Sequence, residues 1–105
     1  MKFLLSACVL LLCIYSLNAV ICRDTLEFDK GHRYEPYRRQ TFSVTDESSP
    51  EANSKCERLC KSTPGCTGYS YSRPVGYNPT SECHVIRATV ELEYQRGWNS
   101  VFCTP

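Results

Sequence analysis

The chain has 105 residues, with 12 Lys and Arg against 11 Asp and Glu, two histidines and eight cysteines. A formal charge of +1 gives it no global attraction to nucleic acid. Its length allows one domain, whose core is too small to be secure on hydrophobic burial alone.

Lys2 followed by the apolar run Phe3 to Leu17, ending near Leu17-Asn18-Ala19, reads as a signal peptide over residues 1–19. The run falls short of the roughly 20 apolar residues a spanning helix needs, and no later segment is apolar enough, so no membrane span is expected. Cys8 and Cys13 leave with the leader, and residues 20–105, about 86 residues, keep six cysteines. Removing Lys2 also balances the charge at 11 basic against 11 acidic residues. An even set of cysteines in a small secreted chain is the composition of a disulfide framework in a single extracellular domain.

In chain order, Cys22 to Phe28 reads as a first strand and Asp29-Lys30-Gly31 as a turn. The following stretch, Lys30 to Arg39 (KGHRYEPYRR), concentrates four basic residues and two tyrosines. It either forms a basic and aromatic patch or is a solvated hairpin or loop paired with the acids at Asp46, Glu47, Glu51, Glu91 and Glu93. Residues 40–44 (QTFSV) alternate as a second strand, with Phe42 and Val44 on one face. Ser48-Ser49-Pro50-Glu51 resembles a capping box with proline in the first turn, so a helix is expected to begin there. Ala52, Cys56, Leu59 and Cys60 lie along its buried face, and Pro64-Gly65 stops it.

Past Cys66 the period changes to two. Tyr69 and Tyr71 share one face of a strand and Gly68, Ser70 and Ser72 the other, which predicts a strand covered on one side. Arg73 to Thr80 (RPVGYNPT) is an exposed loop, and the proline inside Asn78-Pro79-Thr80 spoils the only candidate glycosylation sequon. Glu82 to Ala88 is a strand with Cys83 and Val85 on one face and His84 and Ile86 on the other. Val90–Tyr94 and Gly97–Cys103 supply two final strands, with Trp98 and Phe102 as large core residues.

Three features of this order are distinctive: Cys56-x3-Cys60-x5-Cys66, the TGYSY strand directly after it, and the closing segment GWNSVFC. With a first cysteine on an amino-terminal strand and the last beside the carboxyl terminus, the arrangement resembles the PAN/apple domain over Cys22 to Cys103. The resemblance implies a small disulfide-rich α+β module in which one helix packs on a curved antiparallel sheet. It also implies the pairs Cys22–Cys103, Cys56–Cys83 and Cys60–Cys66, whereas spacing alone leaves 15 pairings open. The long segment from His32 to Pro50 departs from the family's pattern.

Paired cysteines leave no thiolate nucleophile, and His32 and His84 lie in unrelated segments without a serine-elbow or acid-flanked serine motif, so the chain is not expected to be an enzyme. Cys83-His84 points to opposite faces of a strand and is not a zinc pair. No cofactor or metal is expected. Binding is the remaining class, because tyrosine and arginine on a rigid scaffold give large contacts at low entropic cost. The candidate residues are Tyr34, Tyr37, Arg38 and Arg39 in the basic segment and Arg73 and Tyr77 in the loop after the tyrosine strand. Tyr69, Tyr71 and Tyr94 are read as packing residues. Modules of the resembled family bind extracellular proteins or carbohydrates, so an adhesive or lectin-like role is expected, with a secreted effector (a toxin, haemostasis inhibitor or diffusible signal) as the alternative.

Overall fold

A computed structural model describes residues 20–23, 25–45 and 49–104, without the side chain of Ser49. The leader expected over residues 1–19, with Cys8 and Cys13, lies outside the described residues, as do Asp46, Glu47 and Ser48. Among the described residues, six strands and one helix follow in order: β1 (Ile21–Cys22), β2 (Glu27–His32), β3 (Arg38–Ser43), α1 (Ser49–Lys61), β4 (Gly68–Ser72), β5 (Thr80–Ile86) and β6 (Leu92–Thr104). All pairings are antiparallel, in the order β1-β6-β4-β5-β3, with β2 also paired to β6. The described residues thus form a small α+β fold, one helix on a curled sheet, held by three disulfides.

The helix forms where its periodicity places it. Ala52, Cys56, Leu59 and Cys60 are all buried and face β4 and β5. At its start the Glu51 carboxylate accepts hydrogen bonds from the Thr45 amide (2.9 Å) and hydroxyl (2.7 Å), drawing the incoming chain against the first turn. At its end, the Ser62 and Thr63 hydroxyls donate to the otherwise orphaned Leu59 carbonyl before Gly65 turns the chain at φ 79°. The Cys60–Cys66 disulfide closes that turn, Cys56–Cys83 ties the helix to β5, and Cys22–Cys103 ties β1 to the end of β6. These are the pairs the PAN/apple resemblance implies.

Four expectations are corrected. The single first strand is two: β1 pairs Cys22 with Cys103, the Arg23 amide still donates to the Phe102 carbonyl (2.9 Å), Leu26 packs on the core, and β2 rejoins β6 at Glu27 opposite Ser100. Asp29-Lys30-Gly31 is not a turn but a bulge within β2, where Asp29 adopts φ 54° and its carboxylate accepts the Gly97 amide (3.0 Å). The two last strands are one, because Gly97 at φ 87° lets β6 bend without losing its partners.

The fourth concerns β4, which is buried on both faces. On the helix side Tyr69 and Tyr71 fill the core beside Val85 and Val101. On the other side, Ser70 and Ser100 join through their hydroxyls, Ser100 also donates to the Lys30 carbonyl (2.7 Å), and His32 and Val90 lie over Gly68. The β2 chain, after its bulge, therefore covers the small-residue face. Gly68 is required there, since a Cβ would come within 3.0 Å of the Val101 carbonyl. With the tyrosines filling the core, Trp98 and Phe102 are only half-buried, and Tyr94, read as a packing residue, is exposed.

Candidate functional site

β3 is an edge strand of the sheet, and the residues leading into it form the candidate site. Tyr34 and Tyr37 are each 60% exposed. The Arg87 guanidinium lies 4.5 Å over the Tyr37 ring, and that of Arg33 lies 5.9 Å over Tyr34. Arg38 and Arg39 follow on β3 and are exposed. The fold thus brings Arg87 from the end of β5 to a segment that sequence alone showed as four basic residues. The signal that could have found Arg87 was the pairing of β3 with β5, which sequence periodicity does not supply.

Folding partly neutralises this patch. Arg33 pairs with Glu91 at 3.7 Å, and Arg39 with Glu35 four residues before it. The Glu91 carboxylate, by its charge and a hydrogen bond, holds the Tyr34 hydroxyl above its ordinary pKa. Arg38 makes no ion pair among the described residues.

Arg73 and Tyr77 do not join them. Arg73 lies inside a chain of polar contacts: Nη1 donates to Asn99 Oδ1 (2.9 Å) and Nη2 to Asp29 Oδ1 (2.8 Å), while Asn99 Nδ2 donates to the Tyr71 hydroxyl (3.1 Å). The Gly97 amide, and then Arg73, hold the Asp29 carboxyl below the usual carboxylate range. Arg73 is therefore a tether between β2, β4 and β6. Tyr77 stands fully in solvent in the β4–β5 loop, beyond the Thr80 end of β5, whereas Arg38 lies opposite Val85 at the other end.

Two clefts flank β3. On the face turned away from the helix, a cleft of ≈ 400 Å³ is bordered by Tyr34, Glu35 and Arg39, with His32 and His84 in its lining. Sequence reasoning placed these histidines in unrelated segments. The structure brings them together because β2 passes over the face of β4 and β5 that carries His84. The His84 ring packs 4.6 Å from Trp98, with Nε2 2.9 Å from the Glu82 carboxylate, and is mostly buried. Both ring nitrogens of His32 are buried without a hydrogen bond of good geometry. Burial, reinforced by the nearby His84 and opposed by a weaker contact with the Tyr69 backbone, lowers the His32 pKa to about 4.

On the helix side, a groove of ≈ 430 Å³ runs between β3 and α1, floored by Phe42 and Leu59 and lined by Gln40, Lys55, Arg58 and Ser62. Nothing in the sequence pattern pointed to it, because it needs β3 and α1 side by side.

All six described cysteines are in disulfides and supply no thiolate. The sulfurs of Cys22, Cys60 and Cys103 cluster within 4.8 Å of one another, yet as disulfide sulfurs they are not the thiolates a zinc site uses. No helix among the described residues is long and apolar enough to cross a membrane. No family model matches the sequence, and no curated protein matches it.

Proposed function

We propose that this protein is a non-enzymatic recognition module of the extracellular space, delivered there by a leader over residues 1–19, and that it binds a protein or carbohydrate in an adhesive or lectin-like manner. The reading rests on one observation. Two half-exposed tyrosines, Tyr34 and Tyr37, stand beside four arginines (Arg33, Arg38, Arg39 and Arg87) on a frame whose elements are cross-linked. Rigid aromatic and guanidinium surface loses little entropy on binding and is the chemistry in which interface energy concentrates. Three disulfides in so small a fold are typical of oxidising compartments. The same cysteine pairing, with one helix on a curled sheet, supports the PAN/apple-like reading of the fold.

The test is a screen of the secreted, oxidised protein against a glycan array and a panel of extracellular-matrix proteins. Binding that Tyr34→Ala and Tyr37→Ala each weaken by about 2 kcal/mol, the scale of an interface hot spot, is the expected result. Binding untouched by both substitutions places the site elsewhere, and an empty screen on both panels removes the proposal.

A further inference from the structure

The register of β3 says which of its backbone groups are already used. The Val44 amide donates to the Pro79 carbonyl (3.0 Å), and the ladder runs from there through Phe42 opposite Ser81, Gln40 opposite Cys83 and Arg38 opposite Val85. In an antiparallel ladder, hydrogen-bonded and non-bonded residues alternate. Residues 38, 40 and 42 therefore turn their amides and carbonyls toward β5, and residues 39, 41 and 43 turn theirs outward. Lys55 Nζ takes up the outward Ser43 carbonyl (2.7 Å). The amides and carbonyls of Arg39 and Thr41 meet no other strand among the described residues.

Alternation also sorts the side chains. Cys83 is bonded to Cys56 of the helix, so Gln40, its partner across the ladder, and with it Arg38 and Phe42, lie on the helix side. There the Phe42–Leu59 groove opens directly beside the unpaired edge. Arg58 lines it and Arg38 lies on the same face of β3 two residues before Gln40, neither in an ion pair among the described residues, while Lys55 is 3.4 Å from Glu51.

From this juxtaposition we propose that β3 is a docking edge at which an extended acidic segment of a partner protein adds as a further antiparallel strand, with one apolar side chain in the Phe42–Leu59 groove. Main-chain hydrogen bonds to Arg39 and Thr41 hold the segment, and alternate side chains set its choice. Acidic residues two places before and after the apolar one fall on the helix side, toward Arg38 and Arg58. A second copy of this chain fits poorly, because β3 (RRQTFS) carries two arginines and offers its twin no acidic residue to complement them. The inference rests on the recognition reading above and narrows its partner to an acidic peptide segment.

The probe is the peptide Ac-Thr-Glu-Thr-Leu-Thr-Glu-Thr-NH2, measured by titration calorimetry and by amide hydrogen exchange of the intact oxidised protein. Leu and both Glu share one face, so the third and fifth residues supply the amides that meet β3. The expected result is saturable binding that slows exchange of the Arg39 and Thr41 amides and weakens at least tenfold when Lys replaces both Glu. N-methylation of the third and fifth residues abolishes it, and N-methylation of the second and sixth leaves it within about twofold. Thr41→Pro removes one outward amide at an edge position where proline is tolerated, so the variant folds and loses the peptide. Binding unaffected by Thr41→Pro or by N-methylation at the third and fifth residues overturns strand addition. So does a dimer of the free protein that Thr41→Pro dissolves, which would assign the edge to a second copy. A peptide that never binds, beside glycan or matrix binding that Tyr34→Ala weakens and Thr41→Pro spares, overturns this inference and leaves the recognition reading standing.

Discussion

Protonating His32 is the sharpest perturbation the structure offers. Its ring lies over Gly68 between β2 and the sheet, its nitrogens are buried without a well-formed hydrogen bond, and its pKa is lowered from 6.5 to about 4, first by burial and then by His84. Around it stand the other charged groups of the same cleft, Arg33, Glu35 and Arg39, and beyond His84 the carboxylate of Glu82. The unfolded chain takes up a proton near pH 6.5, whereas the folded one resists until about pH 4. The contribution of a neutral His32 is thus complete above pH 6.5 and is lost as the pH falls from 6.5 toward 4. A shift of this size corresponds to about 3 kcal/mol at full effect, with a slope approaching about 1.4 kcal/mol per pH unit inside the window. Urea unfolding of the wild type and of His32→Leu at pH 7.5, 6, 5 and 4.5 and constant ionic strength measures it, because carboxylate titration is common to both and cancels in the difference. The wild type is expected to lose about 2 kcal/mol more than the variant between pH 7.5 and 4.5. Parallel curves for the two proteins, or a His32 ring that titrates by NMR above pH 6, refute the reasoning.

Further outcomes follow from the cross-links and the polar tether. Loop-closure entropy ranks the disulfides by sequence separation, 81 for Cys22–Cys103, 27 for Cys56–Cys83 and 6 for Cys60–Cys66. Replacing each pair by Ser should cost about 4.5, 3.5 and 2 kcal/mol respectively. A Cys60→Ser/Cys66→Ser variant that unfolds as readily in urea as one lacking the Cys22–Cys103 pair contradicts that ranking. Arg73→Met leaves Asn99 Oδ1 without its donor and Asp29 with the Gly97 amide alone, and should destabilise by about 1–3 kcal/mol in chemical denaturation, while leaving any binding by Tyr34 and Tyr37 intact. Gly97→Ala places a Cβ in open space but at φ 87°, so a loss of about 1–2 kcal/mol with unchanged ligand binding is expected, and a neutral thermal melt would mean that β6 bends elsewhere.

What could be read along the chain was whatever depends on neighbours within a few residues. The helix was legible because Ala52, Cys56, Leu59 and Cys60 recur at its period and Pro64-Gly65 punctuates its end. The alternation of Tyr69 and Tyr71 with Ser70, and of Cys83 with His84, assigned faces that the sheet then adopts. Tyr34, Tyr37, Arg38 and Arg39 stood out because they are adjacent in sequence. Pairings across long separations carried no such local mark. Asp29 meets Arg73 44 residues away and the Gly97 amide 68 residues away, and those contacts turn a segment that reads as a turn into a bulged strand and a candidate binding arginine into a tether. His32 and His84 become neighbours only because β2 crosses over β4, and the Phe42–Leu59 groove exists only where β3 and α1 run side by side. Local periodicity sets which face of each element is apolar; the closure of distant strands, dictated by hydrogen-bond register and disulfide geometry, decides which faces meet and which edge is left open.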